Sequence, residues 1–312
     1  MIGWTDVAPL NHIRSHPATC VWQGKVYVFG GGGVRFASLN TVECYDPQAD
    51  RWDLLTPMPT LRSGAHAAVV NGKIYVVGGG FCQDNGKFRF LPTVEIYDPA
   101  TDSWSDGPDM GQPHDYPALA ELDGTIYTIA GHHPDATEGG PSTDPAFSYS
   151  EKLAPGAAAW EQIADLPIPR FAPMGLTWQG KVWAIGGCRY VEEVDGVRDF
   201  DRIDIFDPAT GTWSMPDFTM PWPAAAHGVS RRGEWVYVVG GYSGPAIHDR
   251  TVRFNADNGA SEDLPSLNEP RAAMGLEIIG NHLLAIGGWK GDGRSVTDRV
   301  ERLDLPADPG SL

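Results

Sequence analysis

The residues of this chain best suited to chemistry are arginines and histidines that recur at a fixed spacing. Arg14, Arg62, His114 and Arg170 each stand ten residues after a tryptophan, at Trp4, Trp52, Trp104 and Trp160. The same step carries Trp213 to Pro223 and Ser261 to Arg271. A guanidinium fork binds a carboxylate through two parallel hydrogen bonds, so Arg14, Arg62, Arg170 and Arg271 are the expected ligand-binding cations. Imidazole titrates near neutrality, which makes His114, and after it His66 and His227, the expected catalytic proton carriers. His66 and His227 read as the same register of units two and five. Neutral imidazole is also a common metal ligand, so His16, His66, His114 and His227 are the candidates for holding a divalent metal, the one cofactor the residue types suggest. Tyr190, Trp222 and Trp289 offer faces on which a substrate can stack.

These residues are positioned by a repeat. A short β-branched or aromatic run ending in paired glycines occurs at Val26–Gly31 and Ile74–Gly79. It returns in weaker form at Ile126–Gly131 and again at Val182–Gly187, Val236–Gly241 and Leu283–Gly288. Each run follows an apolar segment and a turn dipeptide such as Gln23-Gly24, Asn71-Gly72, Asp123-Gly124 or Gln179-Gly180, which supplies the positive φ of a two-residue hairpin. A third strand then ends at Tyr45-Asp46-Pro47, Tyr97-Asp98-Pro99 or Phe206-Asp207-Pro208, and a fourth carries the spaced tryptophan. Six units of about fifty residues fill residues 1–312 as one repeat domain. The sixth unit stops at Leu303-Asp304-Leu305 without a fourth strand, and the segment around Trp4 supplies the missing one. Pairing the two ends removes exposed sheet edges.

Charge narrows the function classes. The chain has 40 acidic and 23 basic residues, a formal net charge of −17. That disfavours nucleic acid, whose binders neutralise phosphates with Lys and Arg, and it disfavours anionic membrane surfaces. No apolar run reaches the roughly 18 residues of a membrane span. The start of the sequence lacks the basic and apolar regions of a secretory signal, and Cys20, Cys44, Cys82 and Cys188 are scattered without a CxxC. Reduced thiols and a cytoplasmic location are expected.

The Gly-Gly pair, the Tyr-Asp-Pro and the spaced tryptophan together resemble the kelch repeat, over residues 3–306. The resemblance implies an all-β, six-bladed β-propeller with four antiparallel strands per blade, its ring closed by the N-terminal strand. It also implies that blade-to-blade loops and second-to-third-strand loops share one face around a channel mouth, where the arginine positions fall. N-acetylneuraminate mutarotases are similar in architecture and act on an acidic sugar. Specifier proteins are similar too, but their ExxxDxxxH iron loop is not reproduced by Glu192-Glu193-Val194-Asp195-Gly196-Val197-Arg198-Asp199. Nothing matches the thioether-linked tyrosine of the galactose oxidase type.

The function expected from these features is a small-molecule enzyme of isomerase or lyase type. It would bind a small anionic, carboxylated metabolite at the channel mouth and move a proton on it. Two alternatives stand beside it. One is an interaction scaffold gripping an acidic peptide with the same arginines, the other a metal-dependent lyase or oxidase using the mouth histidines. The polar, Gly- and Pro-rich loop 132–145 is a candidate lid.

Overall fold

The turn dipeptides set the register. In the computed structural model, both residues of Gln23-Gly24, Asn71-Gly72, Asp123-Gly124 and Gln179-Gly180 have positive φ, the twist that matches a tight antiparallel hairpin. Each joins an inner strand to a second strand. Blade one is Ala18–Trp22, Lys25–Phe29, Val42–Asp46 and Arg51–Leu55, hydrogen-bonded in that order. The structure describes residues 3–136, 145–192, 196–292 and 295–306. Among them six such four-stranded sheets follow one another. The inner strands of blades two to six are His66–Val70, Ala118–Leu122, Met174–Trp178, Gly228–Arg232 and Gly275–Ile279. Apart from short 3-10 turns at Val34–Phe36 and at Glu192, the described chain is strand and loop, and no described helix is long and apolar enough to cross a membrane.

Second strands are apolar along most of their length because each blade is covered on both faces. Along Lys25–Phe29, Val26 and Val28 pack toward blade six while Tyr27 and Phe29 pack toward blade two. Period-two alternation therefore feeds two different cores. One such core fills each of the six seams. The spaced tryptophans clip neighbouring blades together: the indole N–H groups of Trp52, Trp104, Trp160 and Trp213 donate to the carbonyls of Ala8, Thr56, Pro108 and Ala164. Trp4 donates to Pro265 in the same way. Thr5–Val7 pairs antiparallel with Val300–Asp304 as the fourth strand of blade six, so the chain ends close the ring as their sequence requires.

The paired glycines end the second strand where backbones of adjacent blades meet. A Cβ on Gly30, at φ 56°, would lie 2.4 Å from the Arg62 carbonyl oxygen. Beyond them the chain forms small hairpins at the mouth, such as Gly80–Cys82 with Phe88–Phe90 and Cys188–Val191 with Gly196–Asp199. Of the two loops singled out in the sequence, residues 137–144 and 193–195 lie outside the described residues. His132 ends the strand Thr125–His132 and does not belong to a free loop.

Candidate functional site

The four arginines expected to line the mouth point into their blades. Arg14, Arg62, Arg170 and Arg271 are at most 1% exposed. Each pairs with a buried carboxylate on the third strand of its own blade: Arg14 with Glu43, Arg62 with Glu95 at 3.1 Å, Arg170 with Asp204 at 2.6 Å and Arg271 with Glu301. Arg14, Arg62 and Arg271 also donate to the carbonyl of the first paired glycine, at Gly30, Gly78 and Gly287. These interactions hold the four guanidinium groups inside their blades and away from the mouth. Around Glu43, burial pushes the carboxyl pKa up. The Arg14 charge and hydrogen bonds from Asn11 and His12 outweigh that and hold it below the usual carboxylate range.

His114 takes over the same task in blade three. Its Nδ1 lies 2.7 Å from the Ala130 carbonyl, the position of the first paired glycine, and its Nε2 lies 3.2 Å from Glu151. It is fully buried as a contact inside its blade, outside the wall of the axial cavity. In blade five the ten-residue count slips by one. Gly187 N–H donates to the Ala224 carbonyl as Gly31 does to Arg62, so Ala224, not Pro223, holds the ring position. The slip also separates the two histidines read as equivalent. His66 opens its inner strand, whereas His227 precedes Gly228 by one residue. A one-residue shift turns a side chain to the other face of a strand. His227 accordingly lies buried against Gly186 and Gly241 between blades, with burial lowering its pKa to about 3.

What the inner strands do surround is a cavity of about 330 Å³ along the propeller axis, with residues from all six blades in its wall. His16, His66 and Tyr116 line its mouth end, and Thr19, Glu121, Ser230, Arg231 and Glu277 lie farther along. The Thr19 hydroxyl donates to Glu277 across the seam of blades six and one, at 2.7 Å. Burial pushes the Glu277 carboxyl up to about 7, the Thr19 hydrogen bond opposing it. Arg231 sits with its guanidinium carbon 4.9 Å over the Trp178 ring. Burial lowers the His66 pKa to about 4, so its imidazole is neutral at pH 7. Sequence reasoning missed Glu277 because a lone glutamate within an apolar strand carries no motif. The available signal was its strand itself, where Leu276-Glu277-Ile278 places a charge in an innermost strand.

The mouth end is narrowed by backbone. The N–H of His16 donates to Ala273, Ala273 to Ala226, Ala226 to Ala172, Ala172 to Tyr116, Tyr116 to Gly64 and Gly64 back to His16. This closed ring of hydrogen bonds takes one residue from each blade, all six with φ between 50° and 69°. Above it aromatic groups collect. Trp289 meets His16 edge-on at 4.5 Å and Phe36 at 5.2 Å, and Tyr116 stacks on His66. Of the other aromatics expected here, Tyr190 is half-buried on its mouth hairpin. Trp222 is buried in the seam of blades four and five, under Arg250. Among the described residues no group of three His, Cys, Asp or Glu is placed to hold a metal ion. Of the metal candidates, only His16 and His66 face the cavity.

Comparison with known proteins agrees with this architecture. The family model described as Kelch motif matches residues 13–59 and 61–111. Alpha-scruin of Limulus polyphemus is 29% identical over 49% of this chain and 16% of its own. Kelch-like protein 35 of Mus musculus is 30% identical over 47% of this chain and 23% of its own. The chain thus spans under a quarter of the length of these two relatives. An F-box/kelch-repeat protein of Arabidopsis thaliana is 24% identical over 96% of this chain and 79% of its own. The solved structure of YjhT shares the fold, with a TM-score of 0.78 at 17% identity over 96% of this chain and 97% of that one.

Proposed function

Starting from a kelch-repeat six-bladed propeller whose repeated arginines serve its own blades, we propose that this chain binds a small carboxylated metabolite in the axial cavity and shifts a proton on it, as an isomerase or lyase. The observation that carries the reading is Glu277. A carboxyl whose pKa stands at about 7 is present in both forms at neutral pH, the condition for efficient proton transfer. Thr19 fixes one of its oxygens. Arg231 is the cation of the cavity wall that would meet the ligand's carboxylate, and the neutral His66 ring would hold a hydroxyl or carbonyl. A cavity of about 330 Å³ is at the lower end of small-molecule sites.

The test is proton exchange from D2O into acidic sugars and other small carboxylates, followed by NMR with the wild-type chain, Glu277→Gln and Arg231→Gln. Glu277→Gln should lower exchange about 100-fold or more and remove a pH–rate limb near 7. Arg231→Gln should mainly weaken binding. No exchange and no binding with any carboxylate overturns the reading. A second reading, an interaction propeller, is favoured by Val34 and Phe36, which are 61% and 39% exposed on the mouth turn of blade one. Such a surface would take a partner through apolar contact and not through the arginines.

A further inference from the structure

The same backbone bridge recurs at the mouth of each blade, and in one blade it carries chemistry the others lack. It joins Ser15 to Gly32, Ser63 to Gly80, Phe171 to Cys188, Ala225 to Tyr242 and, in blade six, Ala272 to Trp289. In blade three it joins Asp115 to His132, and the Asp115 carboxylate lies 2.7 Å from His132 Nδ1. Because the other blades close this bridge without an ionisable pair, the fold does not require one here. The imidazole is fixed twice over, stacked between Phe171 at 4.0 Å and Phe90 at 5.6 Å. With the Nδ1 hydrogen donated to Asp115, the neutral ring presents Nε2 as a hydrogen-bond acceptor, and among the described residues that atom is buried without a partner. A buried polar atom left unpaired is costly and calls for a ligand or a water.

Asp115, His132 and the Ser63 hydroxyl-bearing residue line a small cavity of about 30 Å³, walled by Phe36 and Phe88. That space accepts one or two water-sized groups, so it takes a hydroxyl or hydroxymethyl while the rest of a ligand lies against the phenyl rings. We propose that the Asp115–His132 pair is a second binding site, at the channel mouth, in which His132 Nε2 accepts a hydrogen bond from a hydroxyl of a small polyol. This site does not rest on the reading of the axial cavity.

The experiment is NMR of the full chain with ring-15N histidine, titrated with glycerol and then glucose. The expected result is an unprotonated Nε2 on His132 and a saturable shift of its signal with at least one of the two. In Asp115→Ala the Nδ1 hydrogen loses its acceptor and Nε2 is no longer held as the accepting nitrogen, so the response should weaken about tenfold or more. Glu277→Gln should leave the His132 response unchanged, which separates this site from the axial one. A protonated Nε2 in the wild-type chain overturns the proposal. So does the absence of a saturable shift with either probe, which would mean a trapped water only.

Discussion

Blade one and blade five solve one packing problem in opposite ways. Where blade one buries Arg14 against Glu43, blade five places Ala224 and Val252 at the matching positions. Cation and anion vanish together, and both blades keep the same strand register. Blade three gives a third solution, His114 with Glu151. The comparison teaches that the recurring arginine is an internal brace, replaceable by apolar side chains as buried ion pairs often are. A repeated charge in this molecule is therefore weak evidence of a site. The informative departures are those that the repeat does not need, Glu277 in the channel and His132 at the mouth.

Removing half of the brace should have the largest effect. Glu43→Ala leaves the Arg14 guanidinium buried and unpaired, and should cost about 3–5 kcal/mol in urea unfolding at pH 7. Installing the blade-five solution, Arg14→Ala with Glu43→Val, should recover most of that loss. If the double variant is as unstable as Glu43→Ala, the two blades are not interchangeable and the comparison breaks.

The second test uses acid. The folded-state pKa of Glu43 lies below its ordinary value of 4.5, so its contribution is complete above that value and is lost as pH falls through the folded one. Stability measured from pH 6 to pH 2 should fall less steeply in the double variant than in the wild-type chain, because a valine has nothing to protonate. Equal slopes would mean that the brace contributes no pH-dependent stability.

The smallest effect is expected one step along, in the ring of left-handed residues. Gly64 holds φ 69° without strain, while Ala226 holds φ 50° with a Cβ. Ala226→Gly relieves the left-handed penalty but loosens the unfolded chain, so it should stabilise by no more than about 1 kcal/mol in thermal unfolding. Destabilisation would show that the alanine methyl contributes packing in the mouth cluster that outweighs its strain.

Much of the fold was legible because each element depends on near neighbours. The dipeptides Gln23-Gly24 and Asn71-Gly72 demand positive φ wherever they stand. The Gly-Gly runs recur at one spacing, and the missing fourth strand of unit six matches the segment around Trp4. The site was not legible in that way. Counting ten from Trp213 reached Pro223, but a single extra residue moves the ring position to Ala224. The same slip sends His227 into a seam while His66 faces the channel, and no local rule reports it.

By itself the sequence determined the six repeats, their turns and the closure of the ring. Those features follow from backbone preferences and period-two patterning, which act over a few residues. Only the tertiary structure decided which charges meet. Arg14 reaches Glu43 across 29 positions, Thr19 reaches Glu277 across 258, and Asp115 reaches His132 across 17. Whether a guanidinium faces ligand or carboxylate, and whether a glutamate titrates near neutrality, depends on burial and on partners that strand packing brings in from distant parts of the chain.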